Sequence, residues 1–136
     1  MINPIRIGKT AGEMIERQLH QFGESSPGIQ LIVLSSADGF QVSSYLAPGA
    51  SAAAAKVAAM TSSITALGDA IARETGLTAA RNIVIEADNG TVLLFGIRDV
   101  KPALALSIVA NKQAILGHLL WAARNAEFAI SKVLTH

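Results

Sequence analysis

The sequence predicts an α/β domain, an antiparallel sheet with helices on both faces. Three observations predict it. IQLIVL, NIVI, VLLFGI and ALALSIV are nearly continuous apolar runs, the pattern of strands covered on both sides. Asp38-Gly39 and Asn89-Gly90 join pairs of strand-like segments. Both dipeptides favour tight hairpin turns, and parallel crossovers would need a dozen or more residues. Three further segments carry apolar residues at helical spacing, enough helices to cover both faces.

The elements follow in chain order. Thr10-Ala-Gly-Glu13 fits a capping box, Met14, Ile15, Leu19 and Phe22 recur at helical spacing, and Gly23 is expected to stop this first helix. Residues before Thr10 are read as a tail or a short extra strand. Ile29 to Leu34 and Phe40 to Leu46 form a hairpin around Asp38-Gly39, read as a type I′ turn with positive φ at both central residues. Ser51 is expected to cap a long helix that Gly76 closes. Asn82 to Ala87 and Thr91 to Ile97 form the second hairpin, and Pro102 to Ala110 a fifth strand, with Pro at its first residue. The last helix runs roughly from Gln113 to Leu134. Leu116, Leu119, Leu120, Ala123, Ile130 and Leu134 lie on one side of it. The order is α-β-β-α-β-β-β-α, and no linker, repeat or low-complexity segment divides it. All 136 residues are read as one domain, with a core at about residues 12–133 and a tail at residues 1–9.

Composition excludes several functions. The formal net charge of +1 makes no electrostatic claim on nucleic acid or an anionic membrane. Absence of cysteine excludes disulfides and thiol chemistry. The N-terminal stretch lacks the apolar core of a signal peptide, and no run of roughly 18 uncharged apolar residues predicts a membrane span. The expectation is a soluble, cytoplasmic protein. Half the residues are hydrophobic, only 15% are charged, and the mean hydropathy is +0.42. That balance argues for extensive burial, subunit contacts included.

The long helix is the informative element. AAAAKVAAMTSSITALGDAIA carries only Lys56 and Asp69 as charges, whereas a surface helix normally shows a charged face. Val57, Met60, Ile64, Leu67 and Ile71 recur at spacings of three and four and are expected to face the sheet. Ala55, Ala58, Ala59, Ser62, Ala66 and Asp69 lie opposite. Between the faces runs a row of small residues, Ala54, Ala58, Thr61, Thr65, Gly68 and Ala72. Alanine is the best helix former and tolerates water, so an exposed alanine-rich helix is one explanation. The other is that the outer and flanking faces are contact surface for a second subunit, another protein, or both. On that second explanation an arginine at Ala58 should keep the fold and weaken assembly.

Catalytic motifs are missing or better explained locally. Gly8-Lys9-Thr10 resembles the end of a phosphate-binding loop, but Asn3 stands where that motif requires glycine. Asn89-Gly90-Thr91 is a formal glycosylation sequon used as a turn. His20, His118 and His136 have no partners at metal-ligand spacing. Ser35, Ser36, Ser43 and Ser44 lie in no nucleophile elbow. Glu86 and Asp88 flank a turn, as solvent-facing carboxylates do. No catalytic, cofactor or metal site is assigned. Trp121 and Phe128, seven apart on the last helix, are either a second edge of the core or an aromatic ledge for a partner.

In order and spacing, LIVLSSADGFQVSS, the small-residue helix after APGAS, IVIEADNGTVLLFGI and ALALSIVANKQAILGHLLWAARNAEFAI resemble the Roadblock family. That family includes dynein light chain roadblock and bacterial MglB-like regulators of Ras-like GTPases. The resemblance spans roughly Gly12 to Val133. It implies a profilin-like, three-layer α/β/α sandwich with a five-stranded antiparallel sheet. It implies a homodimer in which Asn82 to Ala87 pairs edge to edge with its copy and the long helices lie side by side. On this sequence the dimer contact falls on Ala54, Ala58, Thr61, Thr65, Gly68, Ala72, Asn82, Val84 and Glu86. The GTPase contact falls on Ala55, Lys56, Ala59, Ser62, Ala66, Asp69 and Arg73. Family members that stimulate GTP hydrolysis reposition the GTPase's own groups, so no arginine here is assigned as a finger. The implied function is a non-enzymatic homodimeric adaptor that binds a small Ras-like GTPase and modulates its nucleotide cycle. A scaffold without effect on turnover and a small-ligand sensor are the alternatives. The sensor needs a pocket, which the Val, Leu and Met stripe is expected to fill.

Overall fold

The computed structural model describes residues 7–135. The chain runs α1 (Lys9–Ser25), β1 (Ile29–Ser36), β2 (Gln41–Leu46), α2 (Ala54–Glu74), β3 (Asn82–Ala87), β4 (Gly90–Ile97), β5 (Leu104–Asn111) and α3 (Leu116–Leu134). The predicted order and fold class hold. The five strands form one antiparallel sheet in the order β2-β1-β5-β4-β3. The edges are therefore β2 and β3.

The two faces of the sheet are covered unequally. On one face α1 and α3 pack over Ile32, Leu34, Leu93, Phe95, Leu106 and Ile108, burying Ile15, Leu19, Leu119 and Ile130 completely or nearly so. On the other face α2 lies over β1, and the buried cluster there is only Leu31, Val33 and Ala58.

Several local expectations are corrected. Thr10 does not cap α1: the helix starts at Lys9 after Gly8 and has no side-chain cap. That start also shortens the tail predicted over residues 1–9. Ile7 is half-buried against the main core, and an extra strand before it falls outside the described residues. Met14, read as part of the apolar stripe, is 43% exposed. Gly23 does not stop the helix. It is buried inside α1 because the Tyr45 ring occupies the place its Cβ would take. Ser51 does not cap α2, whose N-cap is Ala53 without a side-chain bond. Gly76 does close α2. Its φ is +81°, its N–H donates to the Arg73 carbonyl at 3.1 Å, and Leu77 N–H donates to the Ala72 carbonyl at 2.8 Å. This is a Schellman end. Strand β5 begins at Leu104, past Pro102, and α3 begins at Leu116 rather than near Gln113.

Both hairpins form, with other turns than predicted, since no described residue except glycine has positive φ. In the first, Gly39 N–H donates to the Ser36 carbonyl at 3.0 Å and only Gly39, at φ +91°, is left-handed. That is a type I turn followed by a glycine bulge. In the second the turn residues are Asp88 and Asn89. Gly90 opens β4 and pairs with Ala87, and a Cβ there would collide with the Ala110 carbonyl oxygen.

The main correction concerns α2. Met60, Leu67 and Ile71 do not face the sheet; they are 61%, 62% and 60% exposed. The small residues Ala58, Thr61 and Ala72 face it instead. Leu31 and Val33 already fill the interface from the sheet side. Only small side chains fit between them and a closely seated helix.

Candidate interaction surface

The row of small residues is an intrachain seat. Thr61 Oγ1 lies 2.7 Å from both the Val57 carbonyl and Ser107 Oγ; with Thr61 donating to the carbonyl, Ser107 donates to Thr61, and both buried hydroxyls are satisfied. Ser62 Oγ donates to the Ala37 carbonyl at 2.7 Å. The β1–β2 turn fits beneath α2 because Gly39 lacks a side chain: its Cβ would lie 3.2 Å from Ala59 Cα. A Cβ on Gly68 would meet Ile83 Cδ1 at 2.7 Å. Close packing against β3 thus accounts for a glycine that costs about 1 kcal/mol in mid-helix.

Asp69 is also committed within the chain. Its Oδ1 accepts from Ala80 N–H at 2.9 Å and lies 3.5 Å from Arg98 Nη2. Arg98 additionally donates to the Ala80 carbonyl. The carboxylate therefore fastens the end of the α2–β3 connection to α2.

The predicted contact residues divide accordingly. Ala58, Thr61 and Ala72 are buried under their own helix, and Ala54, Thr65 and Gly68 are half-buried there. Buried Ala58, Thr61 and Ala72 present no free surface to a second helix, whereas Ala54, Thr65 and Gly68 keep part of theirs. Ala55, Lys56, Ala59, Ala66 and Arg73 are exposed on the outside of α2, with Ser62 at its margin. Val84 and Glu86 are exposed and Asn82 half-buried on β3.

Sequence reasoning missed the flank of α2. Met60, Ile64 and Leu67 form one wall of an open apolar groove of about 690 Å³, and Ile85, Val92 and Leu94 form its floor. Of the stripe only Val57 packs against a buried cluster, that of Leu31, Val33 and Ala58, so the stripe does not fill the core as expected. The groove exists because α2 sits over β1 and, beyond its contact with Ile83, leaves Ile85 and Val92 on this face uncovered. One signal for it was legible: Ile83-Val84-Ile85 is apolar on both faces, which an edge strand with a wet face would not be.

Trp121 and Phe128 are 63% and 70% exposed on α3, across the sheet from the groove. They are not an edge of the core. His118 stacks on Trp121 with ring centres 5.9 Å apart, and Lys132 Nζ lies 5.7 Å from the Phe128 centroid. His20 Nδ1 is 3.8 Å from Glu24 Oε1, and His136 falls outside the described residues. Among the described residues no cluster of His, Asp or Glu could hold a metal ion. No described helix is long and apolar enough to cross a membrane. Lys9 and Thr10 are exposed residues of α1's first turn.

Among the described residues Glu127 is the one ionisable group with a resolved displacement. Burial raises its pKa, Asp99 raises it further, and Arg81 and Arg124 partly oppose this. The folded state thus holds the proton more tightly than the unfolded chain. The resulting penalty is absent below the ordinary glutamate range and grows as pH rises through that range toward the elevated value. Glu127→Gln should therefore unfold at a higher temperature than the parent at pH 7, and the gap should close in acid.

The chain is thus a three-layer α/β/α sandwich with an open edge strand and an apolar flank beside it. The chain belongs to the Roadblock/LC7 domain family, whose model matches residues 15–100. No curated protein sequence matches it. Among solved structures it is similar to the gliding protein MglB from Thermus thermophilus, at 14% identity over 99% of this chain and 98% of that one, with a TM-score of 0.85. A structure described as MglB with tetrameric arrangement matches at 15% identity over the same shares, with a TM-score of 0.87. A Roadblock/LC7 domain from Streptomyces avermitilis matches at 20% identity over 88% of this chain and 91% of that one, with a TM-score of 0.64. At these identities the likeness is one of fold.

Proposed function

We propose that this protein is a homodimeric cytoplasmic adaptor that binds a small Ras-like GTPase and modulates its nucleotide cycle. The observation that carries the reading is the exposed apolar flank of α2 beside an open edge strand: water faces Met60, Leu67 and Ile71 at once. Patches of this kind mark contact sites. Family membership and the MglB-like fold support it. In the dimer Val84, Asn82 and Glu86 pair across the edge, and the α2 flanks of the two copies close each other's grooves. The exposed outer residues Ala55, Lys56, Ala59, Ala66 and Arg73 remain for the GTPase, with Ser62 at the margin.

The test is single-turnover GTP hydrolysis and nucleotide exchange by candidate Ras-like GTPases with and without the protein. A saturable change in either rate is expected. Binding without any rate change would leave only a scaffold. The purified protein alone should neither bind nor hydrolyse GTP, as calorimetry and phosphate release would report. Micromolar nucleotide binding by the isolated chain would remove the adaptor reading.

A further inference from the structure

The open edge of β3 carries enough information to fix how two copies would meet. We infer that they pair about a two-fold axis through Val84, with Asn82 of each copy opposite Glu86 of the other, and that this pair of residues makes the edge selective for a second copy of the same chain. The inference rests on the dimer reading above and adds its register and selectivity.

The first argument is the hydrogen-bonding pattern. Asp88-Asn89 is a two-residue turn, so Ala87 and Gly90 form a hydrogen-bonded pair. Pairs alternate along an antiparallel ladder, so Ile85 and Ile83 also bond to β4. The N–H and C=O groups of Asn82, Val84 and Glu86 consequently point out of the sheet. A two-fold axis normal to the sheet keeps each face on its own side. Residues set directly opposite must then share a face, so the axis passes through a residue and not between two. Placed at Val84, it lets all three outward-facing residues bond. Moved to Ile83 or Ile85, it leaves Glu86 or Asn82 without a partner in the ladder.

The second argument is side-chain chemistry. Ile83 and Ile85 lie on the α2 face, the former against Gly68 and the latter in the groove. The Val84 register sets Ile83 opposite Ile85, twice, and extends the apolar floor from one groove to the next. On the other face it sets the Asn82 amide opposite the Glu86 carboxylate, twice, so an N–H₂ donor meets an acceptor. The Ile85 register would instead set Glu86 opposite Val84.

The chain has no cysteine, so single cysteines report the register. Val84→Cys should form a disulfide-linked dimer on mild oxidation. Ile83→Cys and Ile85→Cys should not self-link, because diagonal neighbours lie roughly 7–8 Å apart, but the two variants mixed should link to each other. In parallel, Asn82→Glu sets carboxylate against carboxylate at both ends. It should weaken dimerisation about tenfold, and Asn82→Glu with Glu86→Lys should restore it. Self-linking at residue 83 or 85, or none at residue 84 in a chain that sediments as a dimer, overturns the register alone. No effect of Asn82→Glu on a residue-84-linked dimer overturns the selectivity. A chain that sediments as a monomer at micromolar concentration removes the dimer and this register with it.

Discussion

Ala58→Arg should loosen or unfold the domain, costing at least about 3 kcal/mol. Read from the sequence, the same change should leave the fold intact and weaken assembly. The structure reverses that expectation. Ala58 is fully buried against Leu31 and Val33, with no space for a long side chain and no anion to receive its charge. Chemical denaturation monitored by circular dichroism checks it. A variant as stable as the parent would mean that α2 does not seat on the sheet through its small residues.

Leu67→Glu should do the opposite, sparing the fold and abolishing association. Leu67 is 62% exposed, and glutamate is a good helix former. The monomer should therefore unfold within about 0.5 kcal/mol of the parent. A two-fold contact loses the side chain twice. Each buried leucine is worth about 1.5–3 kcal/mol, so the dimer should weaken by at least about a hundredfold. Sedimentation across a concentration series measures this. Unchanged association would place the contact elsewhere, with Trp121 and Phe128 as a second exposed apolar surface to test.

Element order was legible because apolar runs and glycine turns report local physics. Asp38-Gly39 and Asn89-Gly90 mark reversals whichever turn type forms, and Gly76 ends α2 as its freedom at positive φ suggests. Cap residues were less legible, since Thr10 and Ser51 can cap only if the helix starts just after them, and packing sets the start. The facing of α2 was illegible for a different reason. A helical wheel ranks side chains by size and assumes that the largest face inward. It does not know that Leu31 and Val33 already occupy the space on the sheet side. Nor does it know that Met60, Leu67 and Ile71 stay exposed in the folded chain. Asp69 was misread similarly: a sparse charge on a long helix resembles a rim contact, and its partner Arg98 is remote in sequence.

The unequal coverage of the sheet has a consequence for local unfolding. The layer formed by α1 and α3 shares the large core, whereas α2 is held by the small cluster of Leu31, Val33 and Ala58 with Ala54, Val57 and Val109 at its margin, the Thr61–Ser107 and Ser62–Ala37 bonds and the Asp69 tie. Regions with few buried apolar contacts open at lower free energy than the rest. In the lone chain α2 can therefore lift while the other layer stays folded, and its amides exchange with solvent by that route. Association through the α2 flank would draw this layer up toward the global stability. Helix α2 then behaves as the part of the molecule whose folding is completed by its partner.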